Sequence, residues 1–262
     1  MTPSHFEPVL VTREGGVTTL SVNRPAALNA LDVPTAHAFL AACQSLASDP
    51  QLRVVVLRGE GKGFGAGGDV AALQADPTAT AHELITCLHE AVLLLTRLDA
   101  PVLASLHGVV AGGSLSLAMA CDLAIAAEGT RFNLAYANLG ASCDLSGSWH
   151  LPRLVGLRNA MQIALLSDTF DAAEALRLGL VNRVVPDAQL HDETHMLAQR
   201  LATGPTRAYG HMKRLLRQSF EYDLPTQLDA EREAFKACTQ TADFVEGVEA
   251  FRARRRPGFT GR

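Results

Sequence analysis

The sequence predicts an α/β fold in which strands and helices alternate, continuing into a mostly helical C-terminal part. Three observations predict it. Up to about residue 150, short Val, Leu, Ile and Ala runs of strand length alternate with longer stretches of helical spacing. Beyond that point one strand-like run, LVNRVV (180–185), stands among five helical ones. The chain has 262 residues, 48% hydrophobic and 19% charged, which suits a globular domain with a sizeable core.

In chain order, PVLVTRE (8–14) and VTTLSVN (17–23) alternate about a Gly-Gly pair and predict a β-hairpin. Next come a helix over 33–48, a buried strand over 52–59, a helix over 81–98 and a buried strand over 100–108. A helix of small residues (113–122) and a strand (123–128) follow. Strands alternating with helices imply right-handed parallel crossovers. The later helices are expected over 158–167, 171–179, 188–204, 206–220 and 225–240.

The bulk properties exclude several functions. A net charge of −4 shows no basic excess for nucleic acid or an anionic membrane. The most apolar segment, AVLLLTRLDAPVLASL, is broken by Arg97, Asp99 and Pro101, so it reads as helix plus strand and not as a membrane span. The opening MTPSHFEPVL has no basic stretch ahead of an apolar run, so no secretory leader is expected. Cys43, Cys87, Cys121, Cys143 and Cys238 are an odd, scattered set, which points to reduced thiols and a cytoplasmic protein.

Two glycine clusters carry the chemistry. In GEGKGFGAGGD, Gly63, Gly65 and Gly68 satisfy G-x-G-x-x-G. A dinucleotide site would need an acid about twenty residues on, and that position is Leu88 within a helix. The cluster reads instead as a loop whose backbone approaches a ligand closely. In HGVVAGGSLSLAMACD, Gly112 and Gly113 stand where a helix begins, and the free N–H groups there suit an anionic oxygen. HDETH puts His191 and His195 four apart, but Asp192 stands where a zinc protease needs Glu. A solvated helix face is expected, and no metal site.

Together with VNRPAALNALD, APVLASLHGVVAGG, LPRLVGLRNAMQIALL and DAAEALRLGLVNRVVP, these clusters resemble the crotonase (enoyl-CoA hydratase/isomerase) superfamily, in family order from about residue 10 to 190. The resemblance implies a crotonase-like spiral of ββα units in two roughly perpendicular sheets over 1–195. It also implies a helical trimerisation region over 196–262, hence a homotrimer or hexamer. The implied ligand is an acyl-CoA thioester, with CoA as part of the substrate and no separate cofactor. The N–H groups of Gly68 and Gly113 would hold the thioester oxygen as an enolate develops. CoA would lie along Ala26, Ala27 and Leu28 and against Ala66, Gly67 and Asp69, with Arg254 near a CoA phosphate in competition with Arg252, Arg255 and Arg256.

Where hydratases of this family carry two glutamates, this chain has Ser116 and Tyr136, neither a carboxylate base. Asp144, eight residues past Tyr136, falls where isomerase branches keep an acid and where the family's 4-chlorobenzoyl-CoA dehalogenase keeps a nucleophile. The dehalogenase's histidine, counted back from Pro101, falls on Leu93, with His89 a turn earlier, so the isomerase ranks first. Asp144 is then expected to be a single-base proton shuttle whose apolar neighbours raise its pKa. Tyr136 and Trp149 are candidates for an aromatic wall of the acyl site. The plainer alternative makes Asp144 a cap for a helix beginning near Ser146. Hydration, nucleophilic catalysis by Asp144, and a member that binds acyl-CoA without catalysis remain as competing expectations.

Overall fold

The computed structural model describes residues 7–74 and 76–262. The opening segment behind the leader expectation lies partly outside them.

A six-stranded sheet runs in the order β1 (Val9–Glu14), β2 (Val17–Val22), β3 (Val54–Gly59), β4 (Val102–Leu106), β6 (Leu123–Ala127), β9 (Arg183–Val185). The expected hairpin is present, with Val9 opposite Val22 and Glu14 opposite Val17, and every other pairing in this sheet is parallel. The crossovers are α1 (Val33–Ala47), α2 (Pro77–Arg97) and α3 (Gly112–Ala120). α2 starts earlier than its apolar spacing implies, because the Asp76 carboxylate accepts from Ala79 N at 3.0 Å and Pro77 opens the first turn.

The alternation of β3 explains its unbroken apolar run. Val55 and Leu57 enter the main core with α1 and α2, whereas Val54 and Val56 pack on the other face with Leu190 and Ala198. The latter belong to α7 (Leu190–Ala202), which spans the expected domain boundary at residue 195 and lies against β3 and β4.

A second sheet, β5 (Val109–Ala111), β7 (Arg131–Asn133), β8 (Phe170–Asp171), escaped the sequence pattern. LVNRVV is therefore not the only strand material after residue 150. β5 follows β4 through His107 and Gly108. Gly108 has φ +56°, and a Cβ there would lie 1.9 Å from Lys62 O, so glycine is required.

The later helices are α4 (Gly147–Val155), α5 (Leu157–Leu166), α6 (Ala172–Leu178), α8 (Thr206–Gln218), α9 (Leu224–Thr239) and α10 (Ala242–Arg252). α4 begins at Gly147, just after the Ser146 where a helix start was expected, whereas α10 was not expected. α8 is clamped to the core through Asp122, which accepts from Val102 N at 2.8 Å, Lys213 Nζ at 2.7 Å and an Arg217 nitrogen at 2.9 Å. Lys213 also donates to the carbonyls of Leu98 and Ala100. Asp122→Ala would leave this largely buried cation unpaired. It should cost about 3 kcal/mol in denaturant unfolding, against under 1 kcal/mol for a surface pair.

Candidate active site

The first loop is built on Asn29. Leu28 and Asn29 are both left-handed (φ 48° and 55°), which turns the fully buried Asn29 amide inward. Its Nδ2 donates to Glu60 O and Gly63 O, both at 2.7 Å, and its Oδ1 accepts from Arg24 N. The glycine loop is thereby held against the Pro25–Ala27 turn, and Ala66 N donates to Leu28 O at 3.0 Å. Ala26, Ala27, Leu28 and Ala66 are thus brought to one place.

Leu31 threads between Gly67 and Asp69. Its N–H donates to Gly67 O at 2.7 Å and its carbonyl accepts from Asp69 N at 2.9 Å. In this parallel bridge the N–H of Gly68 itself points to the opposite side. Gly67 has φ +95°, and a Cβ there would lie 3.1 Å from Ala111 O and 3.3 Å from Gly113 N. The loop therefore lies directly against the start of α3, and Gly67 N donates to Ser114 Oγ at 3.2 Å. Gly113 is in the first turn of α3, where no earlier carbonyl of the helix meets its N–H and no side chain caps it. Two backbone donors on adjacent loops can meet one oxygen.

A carboxylate, that of Asp144, is among the groups nearest Gly113. A Cβ on Gly113 would lie 3.7 Å from Asp144 Oδ1, 3.7 Å from the Tyr136 hydroxyl and 3.8 Å from Leu145 Cδ1. Asp144 is followed by two left-handed non-glycine residues, Leu145 (φ 45°) and Ser146 (φ 65°). Each costs about 1–2 kcal/mol, and the surroundings hold them. Leu145 is buried in the core and its N–H donates to His89 Nε2 at 3.2 Å, while Ser146 Oγ meets His150 Nδ1 at 2.9 Å.

The capping alternative fails on geometry. Ser146 is the N-cap of α4, no side chain caps that helix, and the Asp144 carboxylate is bonded to the Tyr136 hydroxyl instead. That hydroxyl also lies 3.1 Å from Ser116 Oγ. Burial pushes the Asp144 pKa above the usual carboxylate value, opposed by the Tyr136 bond and by His89. Burial and the Asp144 charge push the Tyr136 phenol up. Burial lowers His150 to about 4, so it supports Ser146 as a neutral ring.

The sequence model of the enoyl-CoA hydratase/isomerase family matches residues 12–262. The chain belongs to the enoyl-CoA hydratase/isomerase family. It is 38% identical over 262 residues to the 1,2-epoxyphenylacetyl-CoA isomerase of Escherichia coli, covering 98% of this chain and 100% of that one. It is 32% identical to the crotonyl-CoA hydratase of Syntrophomonas wolfei, covering 97% and 98%. The crystal structure of an enoyl-CoA hydratase from Bacillus anthracis superposes with a TM-score of 0.93 at 28% identity, covering 97% and 100%. The crotonase fold and an acyl-CoA-processing enzyme of this family follow. The relatives carry both isomerase and hydratase names.

Within this family site, several expected residues take other places. Asp69 is engaged in the scaffold: its carboxylate caps the turn at Ala71 and receives both terminal nitrogens of Arg24 at 3.1 Å, while Arg24 also pairs with Asp32 at 3.0 Å. Trp149 does not join Tyr136. Gly147 and Leu151 are the buried face of α4, and Trp149 lies roughly 200° round the helix from Gly147. Its ring instead carries the Arg153 guanidinium at 3.4 Å and lines a groove of about 400 Å³ with Leu93 and residues of α8. The histidine register is corrected likewise: Leu93 is 50% exposed in that groove, and His89 is the residue beside Asp144. Arg254 is exposed just beyond α10 and, among the described residues, no side-chain bond ties it to the glycine loops. His191 and His195 stack at 6.5 Å on an exposed face of α7.

Sequence reasoning missed Arg24, Asn29 and Ser114, which hold the loops, and underrated His89. The available signal for Asn29 was a lone amide in PAALN among apolar neighbours.

Proposed function

We propose that the protein is an enoyl-CoA double-bond isomerase with Asp144 as its single base. One observation carries the reading. Ser116 and Tyr136, at the positions where the family resemblance puts the hydratase glutamates, are bonded to each other, and the Asp144 carboxylate lies beside Gly113. By the family resemblance, hydratases use two glutamates to deliver water across the double bond, and both positions here lack a carboxylate. Allylic migration needs one base to lift a proton from one end of the allyl unit and return it to the other. The C–H electron pair moves to the thioester oxygen, which the Gly68 and Gly113 N–H groups would hold as an enolate. It then re-forms C–H at the far carbon, so nothing is consumed. CoA would lie along Ala26, Ala27, Leu28, Ala66 and Gly67, with Arg254 reaching a phosphate from the C-terminal region, and no other cofactor enters.

A second reading has one observation in its favour. His89 stands beside Asp144, so attack by Asp144 on the thioester carbonyl, with the CoA thiolate leaving, would give an acyl-Asp144 anhydride that water opens to the free acid with His89 as base. Assaying 3-enoyl-CoA and 2-enoyl-CoA thioesters separately for migration, water addition and release tests both readings.

A homotrimer belongs to the same proposal. α9 has no buried residue, and Leu224, Phe235 and Phe251 are 70%, 65% and 86% exposed, more apolar surface than a monomer ordinarily leaves uncovered. Sedimentation should give a mass of three chains or a multiple. A monomer at micromolar concentration would refute it.

A further inference from the structure

We propose that Tyr136 is the positioning residue of the Asp144 carboxylate: held from behind by the Ser116 hydroxyl, its phenol gives its proton to Oδ1 and leaves Oδ2 as the oxygen that takes up a proton. The inference rests on the isomerase reading and adds the group that sets the working pH of its base.

Counting protons fixes the direction of the chain. A phenol has one proton, and Tyr136 donates it to Asp144. The 3.1 Å contact between Tyr136 and Ser116 must then be donated by Ser116. A serine inside a helix ordinarily bonds back to the carbonyl four residues earlier. Ser116, fully buried in the middle of α3, bonds to Tyr136 instead. Its other side is closed by Gly147, where a Cβ would stand 2.5 Å from Ser116 Oγ. The serine thus has one place to be and fixes the phenol in turn. Two hydroxyls in series ending on a carboxylate polarise one another.

Few groups compete for control of Asp144. α2 contributes His89, α3 contributes Ser116 and Gly113, α4 contributes Gly147, and the loop contributes Cys143 and Tyr136. None carries a permanent charge. Burial disfavours the carboxylate; the phenol is the side-chain donor that favours it, beside His89 and Asp144's own backbone N–H. Among the described residues, no side chain donates to Oδ2, and the one side-chain bond goes to Oδ1. This division of labour gives one oxygen to the scaffold and one to the substrate.

The test is the titration of Asp144 itself. In protein labelled with carboxyl-¹³C aspartate, the resonance missing from Asp144→Asn identifies it. Tyr136→Phe keeps the ring and removes the donor. The Asp144 midpoint should rise by about one to two pH units, the size of a hydrogen bond to a charged group. The acid limb of kcat for 3-hexenoyl-CoA isomerisation should move up with it, with KM held within about twofold. Ser116→Ala should shift the midpoint the same way and less, and it decides the matter if Tyr136→Phe does not fold. A midpoint that stays put or falls overturns the proposal, even where Asp144→Asn abolishes isomerisation. If Asp144→Asn isomerises like the wild type, the isomerase reading and this inference both fail.

Discussion

Asp144→Asn is expected to lower kcat for double-bond migration by about 10²–10⁴-fold, the range that a positioned base contributes, and to leave thioester binding nearly unchanged. The carboxylate touches neither the Pro25–Ala27 turn nor the Ala66 contact that would carry CoA. Asn keeps an oxygen that can accept the Tyr136 proton, so the loop should stay in place. The same variant makes a stability prediction of the opposite sense. Burial raises the folded-state pKa of Asp144 above its unfolded value, so the ionised group destabilises the fold. The stability that the neutral acid allows is fully present below the unfolded pKa and is lost as pH rises through the folded one. Asp144→Asn should therefore melt above the wild type near neutral pH, and the gap should close on acidification. A variant that is both inactive and less stable at neutral pH would mean that Asp144 mainly holds the structure.

Gly67→Ala is the second large effect. Its φ of +95° is a conformation that L side chains rarely adopt, and its Cβ would press on Ala111 O and Gly113 N at 3.1 and 3.3 Å. The loop must retreat from α3, and the Gly68 and Gly113 N–H groups must separate. Losing one oxyanion donor typically costs about 10²–10³ in kcat, and that is the expected loss. Gly68→Ala is the informative contrast. Its Cβ would meet only Leu84 Cδ2 at 3.9 Å, so the backbone can stay and kcat should fall far less. Equal losses in the two variants would show that the close approach of the loops is not what matters.

The large elements were legible because each has a pattern long enough to show. β3 is read from four successive apolar positions, Val54 to Leu57, with both faces buried, and α2 from its repeat of Leu84, Leu88, Ala91 and Leu95. The second sheet was not legible: its strands have three, three and two residues, too few to display a period of two. Gly68, Gly113 and Asp144 are singled out through the family resemblance; the local pattern alone shows a glycine at a loop end, a glycine at a helix start and an acid among apolar residues, without a role. His89 and Trp149 could not be assigned, since their roles depend on helix rotation and axial position. His89 and Leu93 are four apart on α2, yet one bonds Leu145 N and the other lines the groove beside Trp149. Asn29 works through the carbonyls of Glu60 and Gly63, 31 and 34 residues away, and Arg24 through the Asp69 carboxylate, 45 residues away, and no local pattern announces that.

The most direct test is a single incubation of 3-hexenoyl-CoA with the wild-type protein in H₂¹⁸O, followed by mass spectrometry of the acyl products. A single-base isomerase predicts 2-hexenoyl-CoA at unchanged mass, with no ¹⁸O in the acyl group. An ¹⁸O-labelled 3-hydroxyacyl-CoA as the main product, formed as fast as the double bond moves, would contradict the account and make the protein a hydratase despite Ser116 and Tyr136.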